Sequence, residues 1–129
     1  MDDCIFCKIV KGEIPSSKVW ENSDFLAIMD INPVVKGHIL LLPKVHSKWM
    51  HETDDVVISK IFVVAKLLIN KMRIGLPCDY VQLSVVGEEV PHFHIHLLPR
   101  TFSDGLLKSK TTRYESQVEI DNYAKKIKE

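Results

Sequence analysis

The run His92-Phe93-His94-Ile95-His96-Leu97-Leu98 decides how this chain is read. Histidine recurs at every second position, with Phe93, Ile95 and Leu97 between. Period two is the strand signature, so the three imidazoles are expected on one face and the apolar residues on the other. Alternate side chains along a strand stand roughly 6.5–7 Å apart, about the reach of one phosphate with its neighbours. An isolated strand histidine is ordinarily a satisfied polar residue. Three in register on an apolar backing leave two functional readings, a metal-binding face and a nucleophilic face for phosphorus chemistry.

Working outward, Tyr80 to Val86 reads as a strand, and Gly87-Glu88-Glu89-Val90-Pro91 turns it into the histidine strand as an antiparallel pair. Pro99 is expected to end that strand. Upstream lies the clearest helix: Ile58, Ile61, Ala65, Leu68 and Met72 share one face, Thr53 is placed to cap it, and Asp54 and Asp55 suit the positive end of its dipole. Gly75 and Pro77 stop it, and Cys78 in the following loop reads as packing. The continuous apolar run Ile39-Leu40-Leu41-Leu42, closed by Pro43, reads as a strand buried on both faces. Before it, Val19-Trp20 and Phe25 to Met29 form two short strands across an Asn22-Ser23-Asp24 turn. Asp30-Ile31-Asn32-Pro33 then turns the chain, and the Asp30 carboxylate serves either as an Asx-turn or as a ligand contact to ribose hydroxyls.

At the start, Ile5, Phe6 and Ile9 fall at one-turn spacing, giving a short amphipathic helix stopped by Gly12. At the end, residues 101–112 read as a loop, and Val118, Ile120, Tyr123 and Ile127 mark a C-terminal helix. The expected architecture is α+β, one domain over 1–129 with its core at about 4–100. An antiparallel sheet of about five strands carries one long helix and two flanking ones.

Totals narrow the function. Apolar residues make up 46% and charged ones 26% of 129, an ordinary globular composition. Seventeen basic and seventeen acidic side chains cancel, so no footprint for a long nucleic acid is present, although a small phosphate-bearing ligand needs only local charge. No apolar stretch is long enough to span a bilayer, and Asp2 and Asp3 stand where a signal peptide would be cationic. Three cysteines make no disulfide framework, and a cytoplasmic location is expected.

A histidine attacks phosphorus when one ring nitrogen is free and the other is held by an acceptor, with donors nearby for the phosphate oxygens and the leaving group. His94, flanked on both sides, is the natural nucleophile on symmetry. No serine or cysteine elbow competes, and neither a phosphate-binding G-x-x-x-x-G-K-[ST] loop nor a G-x-G-x-x-G turn is present. Cys4-Ile5-Phe6-Cys7 has the spacing of half a tetrahedral zinc site, or of two small residues packed on one helix.

The motif His92-x-His94-x-His96-Leu97-Leu98 resembles that of the histidine triad (HIT) family, His-φ-His-φ-His-φ-φ. The resemblance extends to Cys4-Ile5-Phe6-Cys7-Lys8-Ile9-Val10-Lys11-Gly12-Glu13-Ile14-Pro15, to Asp30-Ile31-Asn32-Pro33 and to Gly37-His38-Ile39-Leu40-Leu41-Leu42-Pro43-Lys44-x-His46. It implies a HIT-like fold and a nucleotide hydrolase or nucleotidyl transferase acting on phosphoanhydride or phosphoramidate bonds through a covalent nucleotidyl-histidine. The small-molecule substrate it implies is a nucleoside 5′-phosphoramidate or a dinucleoside polyphosphate. By motif position, His94 would carry the nucleotide, His96 would contact phosphate and leaving group, and His38 would support the nucleophile's side. Asp30 would hold the ribose, while Ile5, Phe6, Ile9 and Ile31 would line the base pocket. Relatives with this cysteine pair bind zinc with His46 and the first triad histidine, implying a structural site of Cys4, Cys7, His46 and His92. A homodimer whose two sheets join is implied as well.

The chain departs from the family at one place. Relatives carry Gly-Gln-(Ser/Thr)-Val before the triad, whereas this chain has Gly87-Glu88-Glu89-Val90. Ionised carboxylates only accept hydrogen bonds and repel phosphate. Either backbone N–H groups serve the phosphate while Glu88 and Glu89 face away, or the substrate differs. Two rival readings stay open: a tri-histidine metalloenzyme using His92, His94 and His96, and a nucleotide-binding module with little turnover.

Overall fold

Four consecutive buried aliphatics, Ile39 to Leu42, carry the middle of the sheet. In this computed structural model, which describes residues 3–106 and 111–128, the order is α1 (Ile5–Val10), β1 (Lys18–Glu21), β2 (Phe25–Met29), β3 (Ile39–Pro43), α2 (Asp55–Gly75), β4 (Tyr80–Ser84), β5 (Ile95–Arg100) and α3 (Gln117–Lys128). The part of the expected 101–112 loop at 107–110 lies outside the described residues. The five strands pair antiparallel in the order β1-β2-β3-β5-β4. This is the expected α+β architecture. Among the described residues no helix is long and apolar enough to cross a membrane.

β3 is buried on both faces because each face has its own helix. Ile39 and Leu41 join Ile61, Ala65, Leu68 and Met72 of α2, together with Phe93, Ile95 and Leu97. Leu40 and Leu42 join Leu26 and Ile28 and the α1 residues Phe6, Cys7 and Ile9 on the other face. Each fully buried Ile, Leu or Met side chain of this kind contributes about 1.5–3 kcal/mol relative to exposure. The α2 stripe is the one read from the sequence, with Ile58 only partly buried at its margin.

Three local expectations need correction. The cap of α2 is Asp54, whose carboxylate accepts from Val56 N–H at 2.8 Å, not Thr53. Thr53 is buried one position earlier, with its hydroxyl donating to the Trp49 carbonyl at 2.7 Å and lying 2.6 Å from Ser47 Oγ. β4 ends at Ser84 instead of Val86, so the connection to β5 is longer than a tight turn. Pro99 does not end β5 but lies within it, opposite Val81. A proline is tolerated there because β3 pairs with β5 only as far as Leu97, leaving Pro99 with a ladder on one side.

The largest departure concerns the triad. β5 begins at Ile95, and His92, Phe93 and His94 lie before it in irregular backbone. The ladder with β3 stops at Leu41–Ile95. Beyond it Pro43 has no N–H to give, and its carbonyl accepts from the His92 ring. Phe93 N–H donates to Ser47 O at 2.7 Å and His92 N–H to Val90 O at 2.8 Å. The three histidines therefore do not share one strand face.

The C-terminal helix forms where expected, yet Val118, Ile120, Tyr123 and Ile127 all stay exposed and α3 buries no residue.

Candidate functional site

The helix α1 starts at Cys4, whose sulfur accepts from Cys7 N–H at 3.4 Å and so caps the first turn. Cap and third residue of one helix put both thiols on the same end. Into that end project His46, from the loop after β3, and His92, from the irregular run before β5. His92 Nδ1 lies 3.4 Å from Cys4 Sγ, 3.5 Å from Cys7 Sγ and 3.2 Å from His46 Nδ1, and Cys7 Sγ lies 3.3 Å from His46 Nδ1. A tetrahedral zinc, with bonds of about 2.3 Å to sulfur and about 2.0 Å to nitrogen, separates its ligand atoms by about 3.3 Å between nitrogens, about 3.5 Å between nitrogen and sulfur, and about 3.8 Å between sulfurs. The donor set and its spacing thus fit zinc.

The tautomer agrees. A carbonyl only accepts, so the 2.7 Å contact of His92 Nε2 with Pro43 O places the ring proton on Nε2 and leaves the Nδ1 lone pair facing the thiols. Burial holds the His92 pKa below the usual imidazole value and keeps the ring neutral. Burial and the neighbouring Cys4 thiol push the Cys7 thiol up to about 11. Of the four donors only His46 is not fully buried.

His94 turns the other way. Its Nδ1 donates to the His92 carbonyl at 2.7 Å, which in the neutral ring leaves Nε2 as the free nitrogen. Phe6 of α1 packs edge-on against the ring at 5.0 Å between centroids. His96, on β5, lies beside it with 4.8 Å between ring centroids. A second chain of bonds orients His96. Val34 N–H donates to His38 Nδ1 at 3.1 Å, so His38 carries its proton on Nε2, which donates to His96 Nδ1 at 2.9 Å. His96 is thereby left with an N–H at Nε2, a donor. Burial lowers the pKa of both His38 and His96, so both are neutral at pH 7. His38 touches His96 rather than His94.

Two cavities meet at this pair. One, of about 230 Å³, is lined by Ile5, Phe6, Ile9, Ile14, Ile31 and Val90. Ile5 and Ile31, unlike Phe6 and Ile9, are exposed on its rim. The other, of about 380 Å³, is the more polar of the two and takes in His38, Gln82, Ser84, Glu88 and Arg100. Asp30, Asn32, Glu89, His94 and His96 line both. Asp30 does make the Asx-turn, accepting from Asn32 N–H at 2.8 Å, and its other oxygen lies 3.5 Å from His38 Nε2. The sequence reading missed Gln82, Ser84 and Arg100. The first two alternate along β4 on one face, a period-two signal visible in the sequence.

The three triad histidines do not converge on one metal. His92 belongs to the group with Cys4, Cys7 and His46, and His96 to a group with Asp30 and His38. The latter fits a cation poorly, because both His38 nitrogens are engaged as acceptor and donor within the protein.

His94, with one ring nitrogen free, thus lies beside the His96 N–H donor where the two cavities meet. Comparison with known proteins gives the family. The HIT domain family model matches residues 11–103, and the chain belongs to this family. It is 36% identical to an uncharacterized HIT-like protein of Borreliella burgdorferi, covering 92% of this chain and 91% of that one. It is 34% identical to the adenylylsulfatase HINT3 of Arabidopsis thaliana over 98% of this chain and 66% of the plant protein. To the adenosine 5′-monophosphoramidase HNT1 of Saccharomyces cerevisiae it is 37% identical, over 75% of this chain and 62% of the yeast protein. Among solved structures, a HIT family protein from Bacillus subtilis superposes with a TM-score of 0.86 at 31% identity, covering 98% and 95% of the two chains. A Zn-bound histidine triad family protein from Mycobacterium smegmatis gives 0.78 at 28% identity, covering 98% and 96%.

Proposed function

We propose that this chain is a nucleotide hydrolase or nucleotidyl transferase that works through a covalent nucleotidyl-histidine on His94. The carrying observation is the His94 Nδ1 bond to the His92 carbonyl, which leaves Nε2 free where the two cavities meet. The base occupies the apolar cavity against Ile5, Phe6, Ile9 and Ile31, the ribose lies at Asp30, and His96 Nε2–H donates to a phosphate oxygen. His38 holds His96 in the donating tautomer. Glu88 and Glu89 stand on the leaving-group side. The adenosine 5′-monophosphoramidase and adenylylsulfatase names of two relatives support a nucleoside 5′-phosphate substrate.

The test is intact-mass analysis of the protein quenched during turnover of adenosine 5′-phosphoramidate and of a dinucleoside polyphosphate. A nucleotidyl adduct that disappears in His94→Ala is expected. Product without any adduct would overturn the covalent route, and binding without product would leave a nucleotide-binding module as the correct reading.

We further infer that Cys4, Cys7, His46 and His92 hold one structural zinc. With all four ligands supplied by the protein, a bound zinc would tie α1 to both the loop after β3 and the approach to β5 and would keep no open position for substrate. A homodimer formed through the open edge of β4, where Tyr80 and Leu83 are exposed with Val85 and Val86 just past the strand, completes the reading. Sedimentation of the wild type and of a Leu83→Lys variant tests it.

A further inference from the structure

The polar cavity beyond His94 and His96 has a charge balance unsuited to a second phosphate. Among the described residues its wall includes three acidic residues, Asp30, Glu88 and Glu89, and one arginine, Arg100. Arg100 does not offset them. Asp104 accepts from its Nε and, at 3.1 Å, from Nη2, while Gln82 Oε1 accepts from Nη1. That pairing holds the Asp104 carboxyl at about 2, so the partner stays ionised wherever the enzyme works. His38 and His96, neutral at pH 7, add no positive charge.

The loop that bears Glu88 and Glu89 is pinned at its first residue. Gly87 has φ +80°, and a Cβ there would stand 2.8 Å from Trp49 Cζ3, so only glycine fits this turn against the indole. Past it, Glu88 lines the polar cavity and Glu89 lines both. The Glu89 charge acts on His38 and His96 alike, favouring their protonated forms against the larger effect of burial. Glu89 lines both cavities together with His94 and His96, so its charge is felt at the reacting centre.

We propose that Glu88 and Glu89 make this cavity selective for nucleoside 5′-phosphoramidates whose leaving amine carries a second, cationic group, and against leaving groups bearing phosphate or carboxylate. This rests on the nucleotidyl-histidine reading above. In the first step a bond forms between His94 Nε2 and phosphorus as the P–N bond breaks, and the amine departs with one proton drawn from solvent. In the second, water adds to phosphorus, the His94–phosphorus bond breaks, and one proton returns to solvent. The nucleotide half is common to all substrates, so the cavity discriminates only through what the leaving group adds. Charges about 6 Å apart at an effective dielectric constant of about 20 interact strongly enough that, after screening, a tenfold preference is a modest expectation.

The experiment measures kcat/KM for three adenosine 5′-phosphoramidates at fixed ionic strength: unsubstituted, N-(4-aminobutyl) and N-(3-carboxypropyl). Wild type is expected to prefer the aminobutyl over the carboxypropyl compound by about tenfold or more, with the ratio shrinking as salt rises. Glu88→Gln/Glu89→Gln is expected to bring the ratio to within about threefold of unity. Turnover of the unsubstituted compound with a wild-type ratio near unity, or a ratio that the double variant leaves unchanged, overturns the selectivity while leaving the hydrolase reading standing. No turnover of any of the three overturns the hydrolase reading and the selectivity with it. Should the variant fail to fold, the salt dependence of the wild-type ratio still decides, because a salt-independent ratio excludes charge as its origin.

Discussion

His92 and His94 sit two residues apart in one motif, yet they belong to different regions with opposite physical demands. Around His92 everything is closed: the ring is fully buried, one nitrogen is spent on Pro43 O, and the other faces two thiols and a second imidazole. Around His94 the ring is also nearly buried, but one nitrogen is kept free where two cavities meet. The difference arises from a backbone that becomes a strand only at Ile95. A regular strand would have pointed both rings the same way, whereas the irregular lead-in sends one toward α1 and the next toward the cleft. The contrast teaches that a histidine repeat whose strand starts late places one ring in a closed cluster and the next at an open cleft.

The sharpest way to break this contrast is to remove each ring and watch two readouts. His94→Ala should lower kcat/KM by about a thousandfold or more while leaving zinc content unchanged. His92→Ala should do the reverse first, losing metal and several kcal/mol of stability. Metal analysis and kinetics on both variants settle it, and equal metal loss in the two would erase the distinction.

Next in size is the metal itself. A ligand that binds only the native state stabilises by about 4 kcal/mol at a thousandfold excess over its dissociation constant. Chelation should therefore lower the melting temperature by about ten degrees or more, and a Cys4→Ala/Cys7→Ala variant should be insensitive to chelator. An unmoved wild-type transition after dialysis against a strong chelator would sink the structural zinc.

A smaller effect sharpens the cleft side alone. Gly87→Ala places a Cβ in a left-handed turn and against Trp49, costing about 1–3 kcal/mol in denaturant unfolding. Because the glutamates ride on this turn, the same variant should also weaken the preference for a cationic leaving group.

The least effect expected is on pH. Burial lowers the pKa of His38 and His96 below the ordinary 6.5, so near that pH the unfolded chain binds more protons than the folded one. Their contribution to stability is complete above about pH 6.5 and is lost as pH falls through the folded values. Melting temperatures across pH 7.5 to 5 should fall, and His38→Gln should flatten the fall.

Much of this molecule was legible in the residues themselves. The stripe on α2 and the unbroken apolar run of β3 are periodic signals that survive into the fold, because each reflects how many faces of an element meet apolar neighbours. Cys4 and Cys7 lie one turn apart on a helix, so their proximity needed no tertiary information. The start of β5 was not legible. It depends on Pro43, far away in sequence, denying the strand a ladder partner and offering its carbonyl to an imidazole. Nor could the cap of α2 be placed between Thr53 and Asp54, since Thr53 is drawn inward by Ser47 and Trp49.

By itself, then, the sequence determined the composition of the site: three histidines at period two, a cysteine pair, His38 and His46 around the β3 run, and two glutamates in a glycine turn. Only the tertiary structure decided how those residues divide between a closed metal-type cluster and an open cleft. It also decided which nitrogen of each ring is free, and that Arg100 is already neutralised by Asp104. Identity and local spacing are properties of the chain, but a lone pair, a tautomer or an uncompensated charge is fixed by partners that only folding brings within hydrogen-bonding distance.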